Sequence, residues 1–415
     1  MRYVGKSDHN MTRRHVIQAG LYGLGLSAAS TAALPAWLPQ TSLAAADESA
    51  SRPRILVVLE LSGGNDGLNT LVPYGDDAYY RHRPKLGIRP EKLRRIDDHF
   101  GFSRGMAGFE RLYKDGKMAI VHGCGYDNPS FSHFVSMAYW HTAAPNSGAQ
   151  YGWVGRLADA MQPGGAPNYV VNIDATQSLA VSSREHTPVV FDDPGAFARK
   201  GFFQQRAAQQ HMANADAVAN PTQRFLRNLA RSAKDASALV RQAWDDYHTP
   251  VDYGILPLDL HKVASLIAAD MPTRLYYVAF RNNAFDTHVY QANLHARLLT
   301  YTSDAVAAFI QDLERIGRAD DVAMLIFSEF GRRVPENTNL GTDHGTANSM
   351  YVVGKPIKGG HYGELPSLTE LDEGDNLIYT TDFRRVYASV IQGWLGYRDT
   401  RELLHGEFEP FDMFG

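Results

Sequence analysis

Polar clusters that come after four apolar runs in this chain carry the residue types of metal and hydroxyl chemistry. Ser62-Gly63-Gly64-Asn65-Asp66-Gly67-Leu68-Asn69 follows Arg54–Leu61. Asn128-Pro129-Ser130-Phe131-Ser132-His133-Phe134 comes after Met118–His122. Phe285-Asp286-Thr287-His288 comes after Arg274–Phe280. Ser328-Glu329-Phe330-Gly331-Arg332 follows Val322–Phe327, and Gly341-Thr342-Asp343-His344-Gly345 comes soon after. Carboxylates with imidazoles suit zinc, manganese or iron; carboxylates alone suit magnesium or calcium. In Asp286-x-His288 the two side chains reach one side of an extended loop, because such side chains alternate. Asp343-His344 is a second pair of the same kind. Asp66, between glycines, reads either as a turn residue or as a ligand.

Ser130 and Ser132 have two readings. A serine at a helix start caps the first turn, and the same position favours an anion, because free N–H groups and the helix dipole point there. Either serine is a candidate nucleophile beside a metal. Glu329 ends a fully apolar run, and a carboxylate at that depth requires a cation or hydrogen-bond donors. Arg332, Arg333 or a metal would meet that need. His133 reads as a ligand, an acid/base, an anion contact or a core histidine.

The elements that must position these groups are legible as well. Arg54–Leu61, Met118–His122, Tyr169–Ile173, Pro188–Phe191, Arg274–Phe280, Val322–Phe327 and Met350–Gly354 are short apolar runs that read as buried strands. Phe109–Tyr113, Ser132–His141, Val289–Ile316 and Phe383–Leu395 have helical spacing. Residues 196–260 read as a helical insertion of two or three helices, broken near Pro221. Strands alternating with helices predict an α/β fold with a mostly parallel sheet, and in such sheets ligands bind beyond the carboxyl ends of the strands.

The chain opens with an export signal. Arg13-Arg14 precede the apolar run Ala19–Leu38, and Ser42-Leu43-Ala44 is a small-x-small exit. These parts make a secretory signal, and the paired arginines select the twin-arginine translocase. Residues 1–45 are therefore read as a signal peptide, and 46–415 as one domain. Gly20, Gly23, Gly25, Pro35 and Pro39 dilute the run below a strongly apolar span. Cleavage removes four basic residues and one acid, taking the formal charge from −4 to −7. The acidic balance, with no basic tract, speaks against a nucleic-acid partner. No later segment reads as a membrane span, so the expected location is periplasmic or secreted. The one cysteine, Cys124, has no partner for a disulfide and reads as a packing residue.

The five ordered motifs, from Ser62–Asn69 to Gly341–Gly345, resemble the large bacterial family called domain of unknown function 1501, over about residues 54 to 396. That family is grouped with the alkaline phosphatase and sulfatase superfamily. The resemblance implies an alkaline phosphatase-like three-layer α/β/α sandwich. Asp66 resembles the first-strand metal aspartate, and the Ser130/Ser132 loop the nucleophile loop. Pro129-Ser130 resembles the sulfatase motif, but Asp127 stands where that motif has its cysteine, which argues against a formylglycine sulfatase. Asp286 and His288 resemble a phosphatase metal pair with shortened spacing. Strand position favours Glu329 as a ligand, with His344 matching the last metal histidine and Asp343 the alternative by residue type.

The expected function is an exported metal-dependent hydrolase of phosphate or sulfate esters, acting on a small-molecule or glycan ester. Asp66, Asp286, His288, Glu329, Asp343 and His344 are the candidate ligands of zinc, manganese, magnesium or calcium. Ser130, Ser132, His133 and Arg332 are the candidate catalytic groups, with Arg332 contacting the anion. The alternative is a phosphatase-fold protein that has lost catalysis and serves as a periplasmic binding or assembly factor. A serine α/β-hydrolase is disfavoured by the lack of G-x-S-x-G, and a dinucleotide enzyme by the lack of G-x-G-x-x-G spacing.

Overall fold

Side-chain alternation along Ile55–Leu61 (β1) organises the molecule. Ile55, Val57, Leu59 and Leu61 join one apolar cluster, while Leu56 and Val58 join another on the opposite face. A strand that is apolar on both faces must be covered on both, and it lies mid-sheet. The computed structural model describes residues 52–197 and 221–415. The expected signal peptide, residues 1–45, and part of the expected insertion lie outside the described residues.

The short strands β2 (Leu71–Val72), β3 (Leu93–Arg95) and β4 (Gly101–Ser103) form a small antiparallel sheet in the order β2-β4-β3. The main sheet adds β5 (Met118–Gly125), β6 (Val170–Ile173), β7 (Val189–Phe191), β8 (Leu275–Phe280), β9 (Val322–Phe327), β10 (Asn348–Val353), β11 (Gly360–Tyr362) and β12 (Thr381–Asp382) to β1. Its order is β11-β5-β10-β9-β1-β8-β6-β7, with β12 also on β5. Of these strands β10 alone runs antiparallel to its neighbours, β5 and β9. β1, β5, β8 and β9 therefore point the same way, and the loops that follow them open along one edge.

Helices cover both faces. Ala107–Lys114, Leu260–Ala268 and Gln291–Arg315 bury Phe109, Val263, Leu299 and Phe309 against one. His133–Thr142, Trp153–Met161 and Phe383–Ala388 bury Trp140, Leu157 and Val386 against the other. The fold is thus a three-layer α/β/α sandwich with a mostly parallel central sheet. Trp140 stacks on Phe327 at 5.5 Å and on Phe383 at 4.2 Å, which fixes the first of these helices over β9. In residues 196–260 the described part contains one long helix, Pro221–Asp246. The expected final helix is α-helical over Phe383–Ala388 and widens to π-helical turns over Ser389–Trp394.

Charges inside the sandwich are compensated. Glu60, the one acid in β1, accepts from the Tyr277 hydroxyl and lies 2.7 Å from His141 Nε2. Cys124 is buried and free in β5, and burial pushes its thiol pKa up. Such a thiol is a packing residue rather than a nucleophile. No helix among the described residues is long and apolar enough to cross a membrane.

Candidate metal centre

The loop after β1 approaches the loop after β8 very closely. Gly63 has φ +116°, and a Cβ there would lie 2.6 Å from the Asp286 nitrogen. Gly64 has φ +68°, and its Cβ would lie 2.3 Å from the Phe330 ring. Both positions need glycine for conformation and for space. The approach lets the Gly63 N–H donate to Glu329, at 2.9 Å to Oε1 and 3.2 Å to Oε2.

Three imidazoles converge on Asp286. His133, from the helix start after β5, has Nε2 3.3 Å from Asp286 Oδ2. His288, two residues beyond Asp286, has Nε2 2.9 Å from Oδ1. His344, from the long connection after β9, has Nε2 3.2 Å from the same oxygen. The other nitrogen of each ring is held from behind. Nδ1 of His133 lies 2.7 Å from Glu329 Oε1, and Nδ1 of His344 2.7 Å from the Phe131 carbonyl. Nδ1 of His288 lies 3.4 Å from Asp343 Oδ1, which also accepts from Asn337. An acceptor on Nδ1 fixes the tautomer that presents Nε2 as a lone pair.

Among the described residues, ligand atoms of His133, Asp286 and His344 all lie within 4.8 Å of one another. His288 Nε2 is 2.9 Å from His344 Nε2, which adds a third nitrogen at the rim. His133 Nε2 is buried yet has no hydrogen-bond partner. Buried polar atoms are ordinarily satisfied, so this orphan calls for a ligand. Imidazole nitrogens with one carboxylate suit zinc or manganese better than magnesium or calcium. The residues present fit a divalent cation.

The electrostatics follow from these contacts. Burial opposes charge on His133, but the hydrogen bond and charge of Glu329, with Asp286 beyond, outweigh it and raise its pKa. Burial also works against the Asp286 carboxylate, yet the hydrogen bonds of Arg332 and His344 bring it down to about 2. Burial dominates at His344, whose pKa is lowered. Asp343 is lowered mainly by the Asn337 hydrogen bond. Phe330 forms an apolar wall, 4.8 Å from the His133 ring and 4.7 Å from that of His344.

The remaining candidates fall elsewhere. Asp66 is buried and is gripped by Arg83 Nη1 at 2.9 and 2.7 Å, with Gln291 Nε2 donating at 2.5 Å. Burial would raise its pKa, but the Arg83 charge brings it down. It is an ion-pair partner outside the three-residue group. Glu329, read as a ligand, instead stands behind His133. Asp343 likewise stands behind His288. Arg332 was expected to contact an anion. Its donors go to the carbonyls of Gly64, Gly63, Phe285 and Thr342, to Asp286 Oδ1 at 2.8 Å and toward His288. It clamps three strand-end loops together instead. Ser132 is the N-cap of His133–Thr142, yet its hydroxyl makes no capping bond. Ser130 Oγ accepts from the Ser132 N–H at 3.3 Å.

Sequence reasoning missed Arg83, Gln291, Asn337 and the Phe131 carbonyl. A backbone acceptor has no side-chain signal, Arg83 and Asn337 sit in segments without periodic pattern, and Gln291 lies in a helix whose spacing reports only its buried face.

The fold and the site thus define an α/β/α protein with a carboxylate–histidine centre at the carboxyl edge of its sheet. The chain belongs to the family described as "Protein of unknown function (DUF1501)", whose model matches residues 53–383. No curated protein matches the sequence. Similar solved structures include the lipoteichoic acid synthase LtaP from Listeria monocytogenes, at 9% identity and TM-score 0.40, covering 85% of this chain and 74% of that one. The PsFucS1 sulfatase from Pseudoalteromonas sp. has 11% identity and TM-score 0.39, with 87% and 71% covered. A protein in the alkaline phosphatase superfamily from Vibrio parahaemolyticus has 10% identity and TM-score 0.36, with 76% and 64% covered.

Proposed function

We propose that this protein is an exported metal-dependent hydrolase of phosphate or sulfate esters, with His133, Asp286 and His344 holding one divalent cation and His288 completing the set. The observation that carries this reading is the shared orientation of the three imidazoles, each Nδ1 engaged outward and each Nε2 turned to Asp286. When bound, the cation would polarise an ester oxygen and lower the pKa of an attacking hydroxyl.

The chain's own groups do the rest. Glu329 and Asp343 hold His133 and His288 in register. Arg332 fixes Asp286 and contributes positive charge beneath the site, which favours an anionic ester. Ser132 is the better nucleophile candidate. It lies between Phe131, whose carbonyl holds His344, and His133 itself. Its hydroxyl stands at the N-terminus of a ten-residue helix, where free N–H groups stabilise negative charge. Export along the twin-arginine route to the periplasm or beyond is supported by Arg13-Arg14 and the run behind them.

The test is an assay of residues 46–415 on aryl phosphate and aryl sulfate esters, with zinc or manganese supplied and metal content measured. Turnover that disappears on chelation supports the reading. The spent donors of Arg332 favour one alternative, a binding or assembly factor on the same fold. Tight metal binding with no turnover of either ester would select it.

A further inference from the structure

Apolar side chains stand uncovered next to the convergent histidines. Phe134, beside His133, is 86% exposed, and Val289 and Tyr290, following His288, are 54% and 74% exposed. Phe131, whose carbonyl holds His344, is 43% exposed. Leu294, one helical turn beyond Tyr290, is also 43% exposed. Because His133, His288 and His344 meet at Asp286, the segments that carry Phe131, Phe134, Val289 and Tyr290 meet beside one site.

Single exposed apolar residues need no explanation, whereas a set gathered beside a polar site marks a ligand surface. Stability does not call for these choices. Phe134 lies in the first turn of its helix, where a polar residue would serve equally well. Tyr290 has φ +46°, a conformation ordinarily given to Gly or Asn. Its N–H donates to the Asn339 carbonyl at 3.0 Å, which holds the backbone in that conformation while the ring stays in solvent.

We infer, resting on the ester-hydrolase reading, that the site takes amphiphilic esters: the anionic head lies at the imidazoles, and an apolar chain or aromatic body lies across Phe131, Phe134, Val289 and Tyr290. A buried methylene is worth up to about a fourfold gain in affinity, so burying two gives up to about sixteenfold.

The experiment compares methyl and octyl phosphate and sulfate monoesters on the metal-loaded protein, with octyl esters kept monomeric. A second arm measures binding of the anionic apolar dye anilinonaphthalene sulfonate, which needs no hydrolysis. The expected result is a kcat/KM at least about tenfold higher for octyl than for methyl. The double variant Phe134→Ser, Tyr290→Asn should lose that ratio and weaken dye binding, with metal content as in the wild type. Asn suits the backbone at 290, and Phe134 is solvent-exposed, so folding is preserved. Equal kcat/KM for both esters, with dye binding unchanged by the double variant, would overturn the inference and leave the hydrolase reading standing. No turnover of either ester overturns the hydrolase reading instead, whatever the dye shows.

Discussion

Glu329 holds His133 from behind: Oε1 lies 2.7 Å from Nδ1 and accepts from the Gly63 N–H at 2.9 Å, while Oε2 lies 3.0 Å from the Ser328 hydroxyl. The carboxylate is fully buried, so its place in the site depends on these donors. Glu329→Gln keeps the shape but leaves one carbonyl oxygen to serve them, and sets an NH2 group against another donor. We expect divalent-metal affinity to fall by about 10- to 100-fold. We also expect stability to fall by about 1–3 kcal/mol from the unpaired donor. Metal titration and urea denaturation would measure the two effects. Unchanged affinity would remove Glu329 from the metal account.

Asp66 forms a buried ion pair rather than joining the histidine centre. Its partner Arg83 is itself buried, so breaking the pair leaves a charge without compensation. Asp66→Asn should lower stability by about 3–5 kcal/mol. Metal stoichiometry at saturating metal should stay at the wild-type value. A variant that folds as stably as the wild type but no longer binds metal would return Asp66 to the ligand set.

What the sequence showed and what it hid have physical causes. β1, β5, β8 and β9 were readable because strands buried on both faces are continuous apolar runs, and the loops after them carry the site. The convergence of His133, Asp286 and His344 followed from that placement. The direction of β10 was hidden, because Met350–Val353 is an apolar run like β9 and periodicity carries no direction. The roles of Glu329 and His133 were partly exchanged, since residue type alone does not tell which carboxylate faces the cavity and which stands behind a ring. The pairing of Asp66 with Arg83 was hidden for a related reason: the guanidinium comes from an irregular segment just past the short helix Asp77–His82.

The two serines separate in a simple comparison. Ser132 has the uncommitted hydroxyl, while Ser130 Oγ supports the loop through the Ser132 N–H. Ser132→Ala should abolish turnover, by at least about 100-fold in kcat, with metal content retained. Ser130→Ala should keep most of the rate. The reverse pattern would move the nucleophile to Ser130.

A pH effect on stability should come from buried neutral histidines away from the centre. Burial brings the His122 pKa down to about 3, assisted by His361 and His99 and opposed by Asp97. Burial likewise brings His295 down to about 4, against the pull of Asp66. In the unfolded chain both titrate near 6.5. Below that value the unfolded state binds protons that the folded state refuses. Their contribution is therefore intact above pH 6.5 and declines as pH falls toward 4, by up to about 1.4 kcal/mol per unit per group. His122→Phe keeps the ring against Phe100, 5.1 Å away, and removes one titrating group. Urea midpoints of the metal-free protein at pH 7.5, 5.5 and 4.5 should show a shallower decline for this variant. Parallel curves would contradict the assignment.

The central claim is that the three imidazoles and Asp286 hold a metal. The most direct measurement is the anomalous scattering of zinc-loaded crystals, collected on either side of the metal edge. The account predicts one peak within bonding distance of Asp286 and of Nε2 of His133, His288 and His344, with Glu329 and Asp66 outside it. A peak at Asp66, or none in protein that has been saturated with zinc, would contradict it.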